Sequence, residues 1–200
     1  EGADLLGAFV GSEGTLGIAV EITLRVQRVP EVVTTMLAAF HSVEAGGDAA
    51  AAVIGAGIVP AAIEMMDRLT IEAAEQAFRP GYPEGAAAVL LVELDGVAVQ
   101  VEEEGAEVER LCRASGAFEV RIAHDDAERA LLWKGRKGAF AAMGRISPDY
   151  YVQDGVVPRT RLGEVLRQIG ELAQEAGLRV GNVFHAGDGN LHPLVLYDGS

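Results

Sequence analysis

Leu178-Arg179-Val180-Gly181-Asn182-Val183-Phe184-His185-Ala186-Gly187-Asp188-Gly189-Asn190-Leu191-His192-Pro193 is an alternating strand that runs into a glycine turn bracketed by two histidines. A second apolar run follows, to Tyr197. Gly187, Gly189 and Asn190 tolerate positive φ and Asp188 favours turns, so the chain can reverse here and lay its arms antiparallel. Facing positions of a hairpin hold Cβ atoms ~4.5–5.5 Å apart, close enough for His185 and His192 to share one divalent cation or one anionic oxygen. Two histidines do not complete a metal site, and a histidine at a strand end also serves as a plain hydrogen-bonded residue. Spacing alone leaves both readings open.

Outward from the hairpin, strands and helices alternate. Arg159 to Ala176 repeats Leu162, Val165, Leu166, Ile169, Leu172, Ala173 and Ala176 at helical spacing, and Gly177 ends the run. Asp125 with Glu128 predicts a capping box opening a helix that carries Trp133, Lys134, Arg136, Lys137, Phe140 and Met143. Its cations stand out in an acidic chain. They suit a solvated face, but Trp133 beside Arg136 also suits a flat floor and a planar fork for a carboxylate. Phe118, Val120 and Ile122 predict a half-buried strand, and Val89 to Leu94 a buried one. Between them lies a helix with Val97, Val101, Val108, Leu111 and Cys112 inward and a glutamate-rich outer face. Further upstream come a strand near Val59–Met66 leading to a helix capped by Asp67, and a strand at Val32–Phe40 leading to an alanine-rich helix from about Ser42. His41 and His124 sit at element ends without partners and read as structural. This order suits an α+β fold with helices on one face of a largely antiparallel sheet.

Composition narrows the function. The 200 residues are half apolar, enough for a sizeable core. Sixteen basic against thirty acidic residues give a net charge of −14, which argues against nucleic acid or an anionic membrane as the main partner. The single cysteine, Cys112, excludes an internal disulfide framework and fits a reducing compartment. Nothing at the start has the layout of a signal peptide, and the longest uncharged run, Ala49 to Ile63, is too short to span a membrane.

Residues 1–30 read as an end piece. Gly11, Gly14 and Gly17 with Ser12 and Thr15 between them permit a ligand to approach the backbone closely, or form a simple turn, before the alternating run Ile18 to Val26. Composition shifts at Pro30.

His185-Ala186-Gly187-Asp188-Gly189-Asn190-Leu191-His192 resembles the signature of FAD-linked 2-hydroxyacid oxidases and dehydrogenases of the vanillyl-alcohol-oxidase type. Gly11-Ser12-Glu13-Gly14-Thr15-Leu16-Gly17-Ile18 is similar to the last flavin-contacting loop of the same enzymes, so the resemblance assigns Gly11, Ser12, Gly14, Thr15, Gly17 and Ile18 to FAD. It also implies that His185 and His192 hold a divalent metal, zinc or manganese, beside the flavin. The third ligand, a glutamate of a Glu-His-Gly motif, and the catalytic base are expected beyond Ser200. The Trp-x-x-Arg pattern at Trp133 and Arg136 implies that Arg136 holds the substrate carboxylate. Val20 replaces a frequent threonine, which removes one side-chain contact to the flavin. Val152 stands where the 2-hydroxyglutarate branch has a lysine, which points instead to the glycolate-oxidase and D-lactate-dehydrogenase branches.

The implied fold is a ferredoxin-like cap domain over residues 31–200, incomplete at its C-terminus, after a truncated end of an FAD-binding domain at 1–30. The implied activity is oxidation of a small 2-hydroxy acid to the 2-oxo acid by hydride transfer to FAD, with the fragment inactive alone. Implied partners are the iron–sulfur and other flavin subunits of an oxidase complex, in a homo-oligomer or hetero-complex, in the cytoplasm or at the cytoplasmic face of the membrane. Two other readings remain: a non-catalytic α+β binding or assembly module with a structural hairpin, and an alkyl-transferring branch of the same flavoenzymes, to which the Trp133–Arg136 and His185–His192 patterns are foreign.

Overall fold

The computed structural model describes residues 2–200. Its elements in chain order are α1 (Leu5–Phe9), β1 (Val32–Phe40), α2 (Val43–Gly55), β2 (Ala62–Asp67), α3 (Arg68–Phe78), β3 (Ala88–Gly96), α4 (Ala98–Ala114) and β4 (Ala117–Ile122). There follow α5 (Asp126–Met143), β5 (Asp149–Val152), β6 (Gly155–Val156), a 3₁₀ turn (Arg159–Arg161), α6 (Leu162–Glu175), β7 (Arg179–His185), β8 (Asn190–Leu191) and β9 (Pro193–Tyr197). Three helices begin on side-chain caps, of which Asp67 and Asp125 are the ones that sequence predicts. Ser42 Oγ accepts the Ala45 N–H at 3.1 Å, Asp67 Oδ1 that of Thr70 at 3.1 Å, and Asp125 Oδ1 that of Glu128 at 2.8 Å. The Glu128 carboxylate reaches back to the His124 N–H at 2.7 Å, one residue before the cap.

The sheet runs β4-β1-β3-β2-β7-β8-β6, with β9 beside β7 and β5 beside β9, and every described pairing is antiparallel. The α+β class with a largely antiparallel sheet is therefore as expected. The placing of helices on one face is not. Met36, Ala38 and Phe40 of β1 pack with α2, α4 and α6, whereas Leu37 and Ala39 pack with α3 and α5. The reason lies in the strands themselves: Met36 to Phe40 of β1 and Ala88 to Val92 of β3 are unbroken apolar runs, and a stretch covered on both sides has no polar face to alternate with.

Two expected strands behave differently from the rest. Ile18 to Val26 forms no ladder, and Ile18, Val20, Ile22, Leu24 and Val26 are all exposed. Alternation marks a surface able to be half-buried, and a single strand without a neighbour is not stable. β4 does form, at the sheet edge, but Phe118 and Ile122 stay partly exposed, and of these three alternating residues Val120 alone packs on the core. Phe118 stacks on His41 instead, ring centroids 4.3 Å apart. Among the described residues no helix is long and apolar enough to cross a membrane.

β7 is the strand on which the sheet divides. Arg179 to Asn182 pair with β9, while Val183 to His185 pair with β2 on the opposite edge. Asp67, at the end of β2, bolts this point: Oδ2 accepts the Asn182 backbone N–H at 2.7 Å and its Nδ2 at 2.9 Å, and Oδ1 accepts from Thr70. Burial pushes the Asp67 carboxyl above its ordinary pKa, against the pull of these donors.

Candidate functional site

The C-terminal end of β7 delivers His185 to the face of the sheet that carries α5. β2 sets Glu64 directly across from it, and β8 sets Asn190 across on the other side. His185 and His192 are thus not facing residues. Continuing the β7–β9 register places His192 two positions from His185 on the same face, a diagonal neighbour. The rings nevertheless meet, centroids 5.5 Å apart and nearly perpendicular at 87°. His192 also lies 6.4 Å from the Phe140 ring of α5, and its Nδ1 is 3.5 Å from Asp154 Oδ1.

The turn is held from two sides. The N–H groups of Ala186 and Gly187 donate to the Ile63 carbonyl at 2.9 and 3.3 Å, and Asp188 Oδ1 accepts the Asn190 N–H at 2.9 Å. Gly189 has φ +78°, and a Cβ there would lie 2.3 Å from the Val157 carbonyl oxygen; one at Gly187 would lie 2.4 Å from Ile63 Cγ2. Beside the histidines, Asn190 Oδ1 is buried with no hydrogen-bond partner.

Helix α5 supplies the other half. Its Arg136 is only 7% exposed, and both Nη2 and Nε donate to one oxygen of Glu64, at 2.6 and 3.1 Å. The other Glu64 oxygen lies 2.7 Å from His185 Nδ1. One turn earlier, Trp133 Nε1 donates to Glu93 at 2.7 Å, and Thr35 Oγ1 donates to the same carboxylate oxygen at 2.6 Å. Trp133, Lys137, Phe78, Glu93 and Glu64 line an open cleft of about 850 Å³. A smaller one of about 300 Å³, lined by His185, Arg159 and Asp188, shares Glu64 as a wall.

Arg136, Trp133 and the two histidines, predicted from separate motifs, therefore meet on one face. Arg136 does not project into the cleft as a free clamp. Its Nε edge is taken by Glu64, and the Nη1–Nη2 edge of the guanidinium has no described partner. The residue sequence reasoning passed over is Glu64. Its signal was an acidic side chain inside the apolar run Ile63-Glu64-Met65-Met66, where a charge needs a partner. Gly11, Ser12, Gly14, Thr15, Gly17 and Ile18 lie apart from this cluster: the described hydrogen bonds of residues 2–30 stay within that segment, as from Thr15 N–H to the Ser12 carbonyl at 2.9 Å.

Residues 29–200 match the family model described as FAD linked oxidases, C-terminal domain. The chain belongs to this family. Glycolate oxidase subunit GlcD of Escherichia coli strain K12 is 52% identical over 197 residues, covering 98% of this chain and 40% of that protein. A probable mitochondrial D-lactate dehydrogenase of Danio rerio is 32% identical over 204 residues, covering 98% and 40%. The chain thus spans about 40% of the length of the curated relatives it matches. Among solved structures, an alkyldihydroxyacetonephosphate synthase superposes with a TM-score of 0.67 at 15% identity, over 99% of this chain and 42% of that one. That likeness is one of fold. It agrees with the mostly antiparallel sheet of an FAD-linked oxidase cap domain.

Proposed function

We propose that this chain is the substrate-covering part of an FAD-dependent oxidoreductase that converts a small 2-hydroxy acid, of the glycolate or D-lactate type, to the 2-oxo acid. The observation that carries the reading is the convergence of Arg136, Trp133 and the His185–His192 pair from distant segments onto one face, in a member of this family. The names of the GlcD relatives call them subunits of glycolate oxidase, which supports both the substrate class and assembly with further subunits.

Reaction requires loss of a hydride from the α-carbon and of a proton from the hydroxyl group. Bound FAD supplies the hydride acceptor, and a divalent ion at His185 and His192, zinc or manganese, supplies a Lewis acid for the hydroxyl oxygen. The donor set suits such an ion in part. The His185 nitrogen turned from Glu64 is free, His192 stands beside it, and Asn190 offers an unpaired buried oxygen. Among the described residues no three His, Cys, Asp or Glu side chains form a ready cluster, so the ion would need a further ligand beside these. The chain's own residues bind and orient. Arg136 holds the substrate carboxylate on its free edge, and the Trp133 ring with Phe78 gives the cleft an apolar wall. Gly11, Ser12, Gly14, Thr15, Gly17 and Ile18 belong with the flavin domain, a reading supported by the unpartnered apolar side chains that follow them.

The test uses the whole flavoenzyme that contains this chain. Arg136→Lys keeps the charge but loses the planar fork, and kcat/KM for the hydroxy acid should drop by well over tenfold, ~1.4 kcal/mol or more. His185→Ala and His192→Ala should each release bound metal, measured by elemental analysis. Unchanged kinetics in the lysine variant, or full metal content and turnover in both alanine variants, returns these residues to structural roles.

A further inference from the structure

Glu64 lies in the middle of β2, 8% exposed, with Ile63 and Met65 on either side. A carboxylate so placed is costly unless its oxygens are engaged. Both are, by groups 72 and 121 residues away along the chain: Arg136 on Oε2 and His185 on Oε1. An ionised carboxylate only accepts hydrogen bonds, so the Nδ1 of His185 facing it carries the proton. A neutral imidazole protonated at Nδ1 keeps its lone pair on Nε2, and only that nitrogen can then take a cation.

We propose that Glu64 is a positioning residue that selects Nε2 of His185 as the ligating nitrogen and, in the same stroke, presents the Nη1–Nη2 edge of Arg136 to substrate. This rests on the roles given above to His185 and Arg136. The hydroxyl and carboxylate of a 2-hydroxy acid sit on adjacent carbons, so the groups gripping them must keep a fixed spacing. One buried carboxylate bonded to both, at 2.7 and 2.6 Å, fixes that spacing without touching substrate. Small displacements of such groups are costly to rate. Side-chain length matters as much as charge, because an aspartate one methylene shorter cannot reach both partners from the same backbone position.

The experiment compares parent and Glu64→Gln in the whole flavoenzyme. Nitrogen chemical shifts of the His185 ring, recorded on metal-free protein with the ring neutral, should report the Nδ1–H tautomer in the parent and its loss in the variant. Affinity for added zinc or manganese should fall by roughly tenfold to a hundredfold. Because Glu64→Gln strands the Arg136 cation, Glu64→Gln with Arg136→Gln repeats both measurements without an unpaired charge. An Nε2–H tautomer in the parent, or a double variant that binds metal as tightly as the parent, overturns the proposal. A parent with the Nδ1–H tautomer that is lost in the variant, yet with no metal taken up by either, supports the hold of Glu64 on His185 and removes the metal reading instead.

Discussion

Helix α4 and the Glu64 site use the same chemistry, carboxylate against guanidinium, at opposite burial. On α4, Arg113 meets Glu109 at 2.8 Å with the two side chains 50% and 40% exposed. At the site, Arg136 meets Glu64 at 2.6 Å with 8% and 10% exposed. Exposed pairs are screened by water and give back most of their attraction as side-chain entropy, for a median worth of about 0–1 kcal/mol. Buried pairs gain more attraction and lose more hydration, so that well-packed apolar residues in their place are often as stable. Stability alone therefore accounts for neither pair. The α4 pairs keep an acidic face solvated, whereas the buried pair spends a costly environment on holding two side chains in one geometry.

The sharpest way to break this comparison is to remove one buried partner. Arg136→Met should cost about 3–5 kcal/mol in urea unfolding, because it leaves the Glu64 charge uncompensated, and adding Glu64→Leu should recover most of the loss. A single variant as stable as the parent would place water or another donor at Glu64. Asp67 provides the next case, a buried carboxylate held by N–H donors instead of a cation. Its pKa is raised on folding, so the native state binds a proton more tightly than the unfolded chain. Its contribution is therefore full below the unfolded value of about 3.9 and is lost as pH climbs through the raised folded value. Asp67→Ser keeps a helix cap but forfeits the Asn182 bonds, which should cost roughly 1–3 kcal/mol and flatten the dependence on pH in that window. A slope unchanged by Asp67→Ser assigns the titration elsewhere. The smallest effect belongs to α4. Glu109→Gln should shift the unfolding midpoint by no more than experimental scatter, and a large shift would mean that the exposed pairs act as a network.

What sequence made legible follows the same division. The histidine turn, the capping aspartates Asp67 and Asp125, and the burial of β3 are local patterns, written in neighbouring residues. Glu64 is not, since its two partners are remote in sequence and nothing next to it announces either. Arg136 was visible as a cation on a helix of mixed character, but its burial and the loss of one guanidinium edge are properties of the β2–α5 contact. Ile18 to Val26 shows the reverse failure. The alternation is plain, yet alternation states only which side would be buried, and no strand among the described residues lies against it.

The turn between the histidines also divides into fixed and free positions for anyone wishing to alter the site. Gly187 is closed by Ile63 and Gly189 by the Val157 carbonyl, so side chains at either would push on β2 or on the segment after β6. Asp188 between them is exposed and needs only a short acceptor for the Asn190 N–H. A library varied at position 188 among asparagine, serine and threonine, with both glycines held, changes the charge at the mouth of the smaller cleft while its frame stays put. Variation of the site can begin there, at one codon, before any residue that touches the histidines is disturbed.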